Sequence, residues 1–267
     1  HAAKYREHRM TTIPPLYLLH TQPDARLLAA WMARHHARHA RQSADLGDAL
    51  HGLLRAAFGE HAPQPFRYLD ERQGLLAYTP LDAQAMAAQI ALADPLAAQT
   101  LGLGACSSHG GYRLRPFPTA WPQGQVLGFE VRVRPTVRGA RGEQDAFLHA
   151  VAQAGGKDGA PLERETVYTQ WLHEHLAVRD GVSPQPWQGA VELLDVQLSA
   201  FARSKSVRRT QASADQCRKG HASDGPDATL KGRLRITDPT AFAHLLARGV
   251  GRHRAFGFGM LLLHRAT

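Results

Sequence analysis

Cysteine is close to absent: the 267 residues hold two, Cys106 and Cys217. They lie far apart with no CxxC pair and no Cys/His ligand spacing, which excludes a disulfide framework and a zinc knuckle and predicts two unpaired thiols. Long apolar runs are missing as well. Nothing approaches the roughly 20 residues that cross a bilayer, and no apolar signal core precedes the first strand, so the expectation is a soluble, cytoplasmic protein with no membrane partner. Acidic residues are in deficit, 23 against 32 lysines and arginines, which leaves a formal net charge of +9 before any of the 16 histidines is protonated. A surplus of that size points to an anionic partner, with nucleic acid as the leading class.

Length and an ordinary apolar fraction allow one large core or two small ones, and two compact domains are expected. Residues 1–10 are short, polar and basic, and Met10-Thr11-Thr12-Ile13 reads as a native start, so this stretch is set outside the fold. Leu16 to Leu19 reads as a short strand, and Pro23-Asp24 opens a helix to about Gln42. Ser43 can cap a second helix, in which Leu46, Leu50, Leu53, Leu54, Ala57 and Phe58 share one face before Gly59 stops it. Phe66 to Leu69 and Leu75 to Thr79 read as a hairpin, followed by a helix from Asp82 to about Leu92 and a glycine- and serine-rich loop over 102–111. Gly128 to Arg134 alternates Phe129, Val131 and Val133 with Glu130, Arg132 and Arg134, a strand expected to end a first βαββαβ unit.

A change of composition at Thr136 to Gly142 places the linker there, giving an N-terminal domain over 11–137 with an inserted basic helix and a C-terminal domain over 138–267. Helices are expected at about 143–154 and 162–176, then a strand over 190–201. The basic run Arg203, Lys205, Arg208, Arg209 leads into a polar stretch to Asp227 expected to be mobile. Leu230 to Ile236 alternates as a strand, and Asp238-Pro239 opens a helix before the terminal strand. Two successive βαββαβ-like units predict an α+β fold of tandem ferredoxin-like, RRM-like domains.

The densest signal is the loop between that helix and the last strand. Residues 248–259 hold four glycines, Gly249, Gly251, Gly257 and Gly259, and three arginines, Arg248, Arg252 and Arg254, with His253 among them. Glycine lets the backbone take positive φ and bring amide N–H groups near a ligand, while arginine matches phosphate oxygens. The loop follows a helix and precedes a strand, the reverse of the dinucleotide fingerprint, and it lacks the GK[ST] ending of a P-loop. Both nucleotide-cofactor classes are thereby excluded, and no cofactor is expected.

In order and spacing this loop resembles the terminal RRGVGxGKALGLGLL pattern of the CRISPR repeat-processing endoribonucleases of the RAMP superfamily, the CasE-like members above all. Leu127-Gly128-Phe129-Glu130-Val131-Arg132-Val133-Arg134-Pro135 is similar to their LRFRLRANP strand, and the Tyr168-x-x-Trp171-Leu172 helix fits as well. The long helix 23–42 makes the related type IV processing protein a second candidate. The resemblance implies two ferredoxin-like domains that bind the stem-loop of CRISPR repeat RNA, cut it without a metal, and often retain the mature guide alongside other subunits of an effector ribonucleoprotein.

Metal-independent RNA cleavage needs a base near the 2′-OH, an acid for the departing 5′ oxygen, and cations around the phosphate. Ala49-Leu50-His51-Gly52-Leu53-Leu54-Arg55-Ala56-Ala57-Phe58 is similar to the family's ALHRALWRLF helix, and His51 takes the position of its catalytic histidine. Three residues earlier, where the family often carries tyrosine, this chain has Asp48. His51 also suits a second reading, a boundary histidine without a catalytic task. Arg34, Arg38 and Arg41 share a face of the first helix, a grip on an RNA backbone or a solvated basic face, and Arg26 and Arg41 near its ends are candidates to organise the phosphate. His35 and His39 have the i, i+4 spacing of a metal pair but no accompanying HExxH glutamate or third ligand, so no metal is expected. Arg203, Lys205, Arg208 and Arg209 are candidates for a hairpin that reads the shape of an RNA stem, with the glycine loop as its clamp. Trp171 and Trp187 read as core residues. The alternative to an enzyme is a noncatalytic subunit that binds guide RNA in the effector.

Overall fold

Successive residues of the first strand, β1 (Tyr17–Thr21), bury into different cores. Leu18 joins a cluster with Tyr78, Phe129 and Phe242, and Leu19 joins one with Leu50, Leu53 and Phe58. Strand side chains alternate between faces, so this sheet is covered on both sides. The computed structural model describes residues 15–37, 46–104, 111–139, 142–156, 159–178, 181, 183–209 and 220–266, with backbone alone at 35–37, 205–209 and 220–223. Cys106 and Cys217 lie outside the described residues.

β1 is an inner strand of an antiparallel sheet ordered β2-β3-β1-β4, with β2 at Phe66–Asp70, β3 at Gly74–Thr79 and β4 at Arg113–Pro116. Four helices belong to this half: α1 (Ala25–Ala37), α2 (Leu46–Phe58), α3 (Ala83–Ala91) and α4 (Pro95–Leu101). The apolar stripe of α2 is buried along its length through Leu50, Leu53, Leu54, Ala57 and Phe58, so packing rather than propensity holds this helix. Asp82 and Asp94 cap the next two helices by accepting from the amides of Ala85 and Ala97.

The second sheet, also antiparallel, runs β10-β5-β9-β8, with β5 at Val126–Val133, β8 at Val191–Arg209, β9 at Gly220–Ile236 and β10 at Leu261–Arg265. A two-stranded hairpin, β6 (Thr136–Gly139) and β7 (Gly142–Asp145), leads into α5 (Ala146–Gln153) and α6 (Arg164–Leu176), and α7 (Pro239–Arg248) precedes the glycine loop. Taken in chain order within each sheet, both read fourth-first-third-second, the split βαβ arrangement of a ferredoxin-like unit. The ferredoxin-like arrangement is therefore present twice, as the expected tandem α+β pair.

Its frame differs from the expected one. The strand expected to end the first unit, β5, instead opens the second: it pairs with β9 and β10, and Phe129, Val131 and Val133 bury beside Leu230 and Leu234. Alternation fixes which face of a strand is buried, and says nothing of which sheet supplies the partner. The chain crosses between sheets after β4, ahead of 136–142, where β6 and β7 replace the expected linker. The place of β5 in the first sheet falls to β4, a short edge strand whose two arginines and proline are all exposed. The stretch to Asp227 expected to be mobile becomes, from Gly220 on, the start of β9, which pairs with the basic end of β8 as a two-stranded ribbon.

The two halves meet through an apolar seam. Tyr78 meets Phe117 at a tilt of 58°, and Phe117 leads to Trp121 and then to Phe242 of α7. The buried Tyr78 hydroxyl donates to the Leu261 carbonyl at 3.0 Å, joining β3 to β10, and burial keeps it protonated by pushing its pKa far above the usual phenol range. Tyr78→Phe is expected to lower the unfolding free energy by about 1–2 kcal/mol, the cost of a buried acceptor losing its donor. An unchanged midpoint and slope in urea denaturation would refute that value for the bond.

Candidate functional site

Helix α7 begins with Asp238 accepting from the Ala241 amide and Pro239 in its first turn, and it ends where Gly249 takes φ 78°. From there the chain folds back on itself. The Val250 amide donates to the Gly259 carbonyl at 2.8 Å, and the Gly259 amide donates to the Arg132 carbonyl of β5 at 2.7 Å. A β-carbon on Gly249 would lie 2.7 Å from the same Gly259 carbonyl, so glycine is required where the two ends of the loop cross.

Inside the loop, His253 adopts a left-handed conformation at φ 62°, and its ring is buried. One carboxylate from β7 holds it: Glu143 Oε2 lies 2.8 Å from His253 Nε2, while Glu143 Oε1 accepts from Arg252 at 2.7 Å. Arg254 is half-buried and donates to the Arg248 carbonyl at 2.8 Å. Arg248 lies 4.2 Å above the ring of Trp187, and burial, then the charge of Arg254, brings its pKa down to about 10. Burial also lowers Arg254. At neutral pH Arg248 is charged, so the base of the loop carries cationic groups that have given up part of their hydration.

Behind the loop stands a stack of rings. His175 lies between Trp171, at 5.2 Å and 11°, and Trp187, at 5.1 Å and 24°, and its Nε2 accepts from the Gly251 amide at 3.1 Å. An acceptor Nε2 requires the neutral ring with its proton on Nδ1. Trp187 is buried as expected, and Trp171 is partly buried with its indole N–H donating to the Thr136 carbonyl. His175 is a loop contact the expectations omitted, and its spacing of four from Trp171 on α6 is the signal that points to it.

The loop also reaches the first half of the molecule. Phe256 sets its ring 4.8 Å from that of His51 on α2, tilted by 45°. A β-carbon on Gly257 would lie 3.2 Å from the Phe66 ring of β2, and Phe258 sits under the guanidinium of Arg132 at 4.5 Å. Arg132 in turn makes a bidentate pair with Asp227 of β9, its Nε at 2.7 Å from Oδ1. Arg67 of β2 bridges to Glu130 of β5 at 3.2 Å, and its pKa is lowered, first by burial and then by Arg132. Beside this seam lies a cavity of about 350 Å³ lined by Gln64, Arg248, Arg254 and Phe256. His51, half-buried at the edge of the α2 apolar stripe, is thus within the reach of a cationic, amide-rich loop. Asp48 sits one turn before it, partly buried.

The remaining expected site residues are spread more widely. Arg26 is exposed in the first turn of α1, where its amide donates to Asp24 at 2.9 Å, and Arg34 is exposed further along that helix. Arg38, His39 and Arg41 lie outside the described residues, as do the side chains of His35, Lys205, Arg208 and Arg209. Arg203 is exposed on β8, the strand at the opposite edge of the second sheet from β10, and it pairs with Asp224 at 3.0 Å. Gly251, Gly257 and Gly259 fall in the loop with positive φ, as Gly249 does. Among the described residues no helix is long and apolar enough to cross a membrane, and no three His, Cys, Asp or Glu side chains are grouped to hold a metal ion.

Comparison with known proteins adds a family to this geometry. The model of the family described as CRISPR associated protein matches residues 16–265. Among solved structures, the CRISPR endoribonuclease Cse3 bound to a 19-nucleotide RNA is similar at a TM-score of 0.55 and 20% sequence identity, over 93% of this chain and 99% of that one. Cse3 of Thermus thermophilus, bound to an RNA representing a pre-cleavage complex, is similar at 0.51 and 19%, over 94% and 99%. A chain of a pre-nicking CRISPR RNA-guided surveillance complex is similar at 0.50 and 19%, over 94% and 100%. At such identities the likeness is one of fold. No curated protein is significantly similar in sequence.

Proposed function

The chain belongs to the CRISPR associated protein family, and from that premise we propose that it is an endoribonuclease that binds the stem-loop of CRISPR repeat RNA, cuts the precursor to mature guide RNA, and stays bound to the product among other subunits of an effector ribonucleoprotein. The observation that carries this reading is the meeting of His51 with the glycine loop through Phe256, because it sets a proton-transfer group against the loop that carries the half-buried cations Arg248 and Arg254. In the chemistry we assign, the ribose 2′ oxygen attacks the adjacent phosphorus, loses its proton, and forms a 2′,3′-cyclic phosphate. The bond from phosphorus to the 5′ oxygen breaks, and that oxygen leaves as a hydroxyl after taking up a proton. His51 assists the proton transfer, and arginine guanidiniums, Arg26 and Arg41 as candidates, stabilise the charge that develops on the phosphate.

The stem is assigned to the glycine loop, to Arg34 and Arg38, and to the basic β8–β9 ribbon with Arg203, Lys205, Arg208 and Arg209. A cationic ribbon can follow the phosphates and wide minor groove of A-form RNA with few base contacts, and the loop adds the exposed guanidinium of Arg252. Within the loop we give His253 a different task from Arg252: its ring is buried against Glu143 and holds the loop in shape, while Arg252 is exposed.

A second reading, a noncatalytic subunit that caps the guide RNA, is favoured by Asp48, which replaces the hydroxyl partner usual for the family histidine. Incubating the protein with a transcript of its own repeat in excess chelator separates the two. Cutting at one position, with a 2′,3′-cyclic or 3′-phosphate on one product and a 5′-hydroxyl on the other, is expected. Tight binding of RNA that stays intact would leave the binding subunit, and strict dependence on magnesium would overturn the proposed chemistry.

A further inference from the structure

We infer that Phe256 is a positioning residue for His51, and that the glycine loop acts on the reaction through this ring as well as through its cations. The inference rests on the endoribonuclease reading above and adds to it a residue that touches no reacting atom.

Phe256 is held from several sides, which separates it from an ordinary loop side chain. The turn that carries it runs from Arg254 to Phe256 and starts at His253, whose left-handed backbone and buried ring are fixed by Glu143 of β7. Within the turn, the Phe256 amide donates to the His253 carbonyl at 2.8 Å. One residue before Phe256's neighbour, Arg254 is tied to the end of α7 through the Arg248 carbonyl at 2.8 Å. One residue after it, Gly257 turns left-handed at φ 84° with the Phe66 ring of β2 against it. The backbone that carries the ring is thus tied on both sides, and the ring itself also lies beside that of His253, at 6.3 Å between centroids. At 4.8 Å between centroids and 45° between planes, the contact limits rotation of the His51 side chain and shields part of one face from water.

On α2 His51 stands at the margin of the apolar stripe, with Gly47 and Asp48 one turn before it and Arg55 one turn after, and the Phe256 ring meets it from the second half of the molecule. Proton transfer depends on the distance and angle between imidazole nitrogen and ribose oxygen, and a shift of about 1 Å in a reacting group costs up to about a hundredfold in rate. The geometry therefore makes the second half of the protein, through one aromatic ring, a determinant of the rate of a reaction whose proton-transfer group sits in the first half. Binding of the RNA stem, assigned to the arginines and the basic ribbon, should be separable from it.

The test uses the full chain with repeat transcript in excess chelator, under single-turnover conditions, alongside equilibrium binding of the same RNA carrying a 2′-deoxy nucleotide at the cut site. Phe256→Ala should slow cutting about tenfold while Kd for the uncuttable RNA stays within about twofold, because no cation is removed. Phe256→Leu, which keeps the apolar contact that the turn needs for folding, should also be slow, and Phe256→Tyr, which restores the ring, should recover most of the parental rate. Adding Phe256→Ala to His51→Ala should cost nothing further, since two residues acting as one unit are not additive.

Three results overturn the inference. Parental rates for both Phe256→Ala and Phe256→Leu would show that the ring does not matter. Full additivity with His51→Ala would show that it acts elsewhere. A loss in binding as large as the loss in rate would make Phe256 an RNA contact. A parent protein that binds its repeat and never cuts it would instead overturn the endoribonuclease reading beneath, which keeps the two failures apart.

Discussion

His51→Ala is expected to slow single-turnover cutting of repeat RNA by about a hundredfold, the lower end of the range for a lost general acid or base. Binding of uncuttable RNA should be nearly unchanged, because the salt-dependent affinity of such complexes comes from phosphate contacts by arginine and lysine, none of which is removed. Folding does not confound the measurement. Position 51 is inside α2, where alanine is the most favourable residue, and His51 is only partly buried; the loss includes its ring contact with Phe256. That contact is worth about 0.5–1.5 kcal/mol beyond the area it buries, too little to unfold a domain of ordinary stability. Equal rates for variant and parent would sink the assignment of His51 and move the chemistry onto the arginines. A large loss of binding with a modest loss of rate would make His51 a contact to RNA.

The fold was legible wherever one face of an element meets one core. The stripe of Leu50, Leu53, Leu54, Ala57 and Phe58 announces α2, and Leu230 to Ile236 announces the buried part of β9. What failed were statements about partners. The alternation of Phe129, Val131 and Val133 is the same whether β5 closes one sheet or opens the next, and the choice was made by β4, four residues with too little apolar content to be seen. The polar start of β9 lacks the apolar alternation of a half-buried strand, so composition read it as mobile, although the basic end of β8 was expected in a hairpin.

The site divides the same way. The glycines and arginines of 248–259 are local and dense, and His51 is placed by a resemblance of its helix, so both were visible. Glu143 was not, because it was read as the start of a helix, and only the β6–β7 hairpin aims it at Arg252 and His253. Arg67 and Phe256 meet Glu130 and His51 across the seam between the sheets, and contacts between elements so far apart in the chain leave no periodicity to detect. Sequence names the groups that carry charge; the packing of the second half on the first decides which of them meet.

Gly259→Ala should be the most damaging single methyl group that can be added to the loop. The residue has φ +80°, and a β-carbon there would run into the Val250 carbonyl, which is backbone and cannot swing aside as a side chain would. The left-handed conformation itself costs an L-residue about 1–2 kcal/mol. Relieving the clash means opening the bond from the Val250 amide to the Gly259 carbonyl, or the bond from the Gly259 amide to Arg132, each about 1 kcal/mol and more if the freed group stays buried. Together these give a loss of about 3 kcal/mol in unfolding free energy, or else a loop that leaves its place and takes Phe256 from His51. Gly124→Ala separates the two contributions, because Gly124 has φ +82° and a β-carbon there would meet nothing within 4 Å. That variant should lose only the conformational part, about 1 kcal/mol, and should cut RNA at the parental rate. Denaturation curves for the two variants, with cutting rates on the same samples, decide the matter. Equal losses of stability would mean that the crossing of Val250 and Gly259 is slack, and the rigidity on which the positioning of Phe256 depends would go with it.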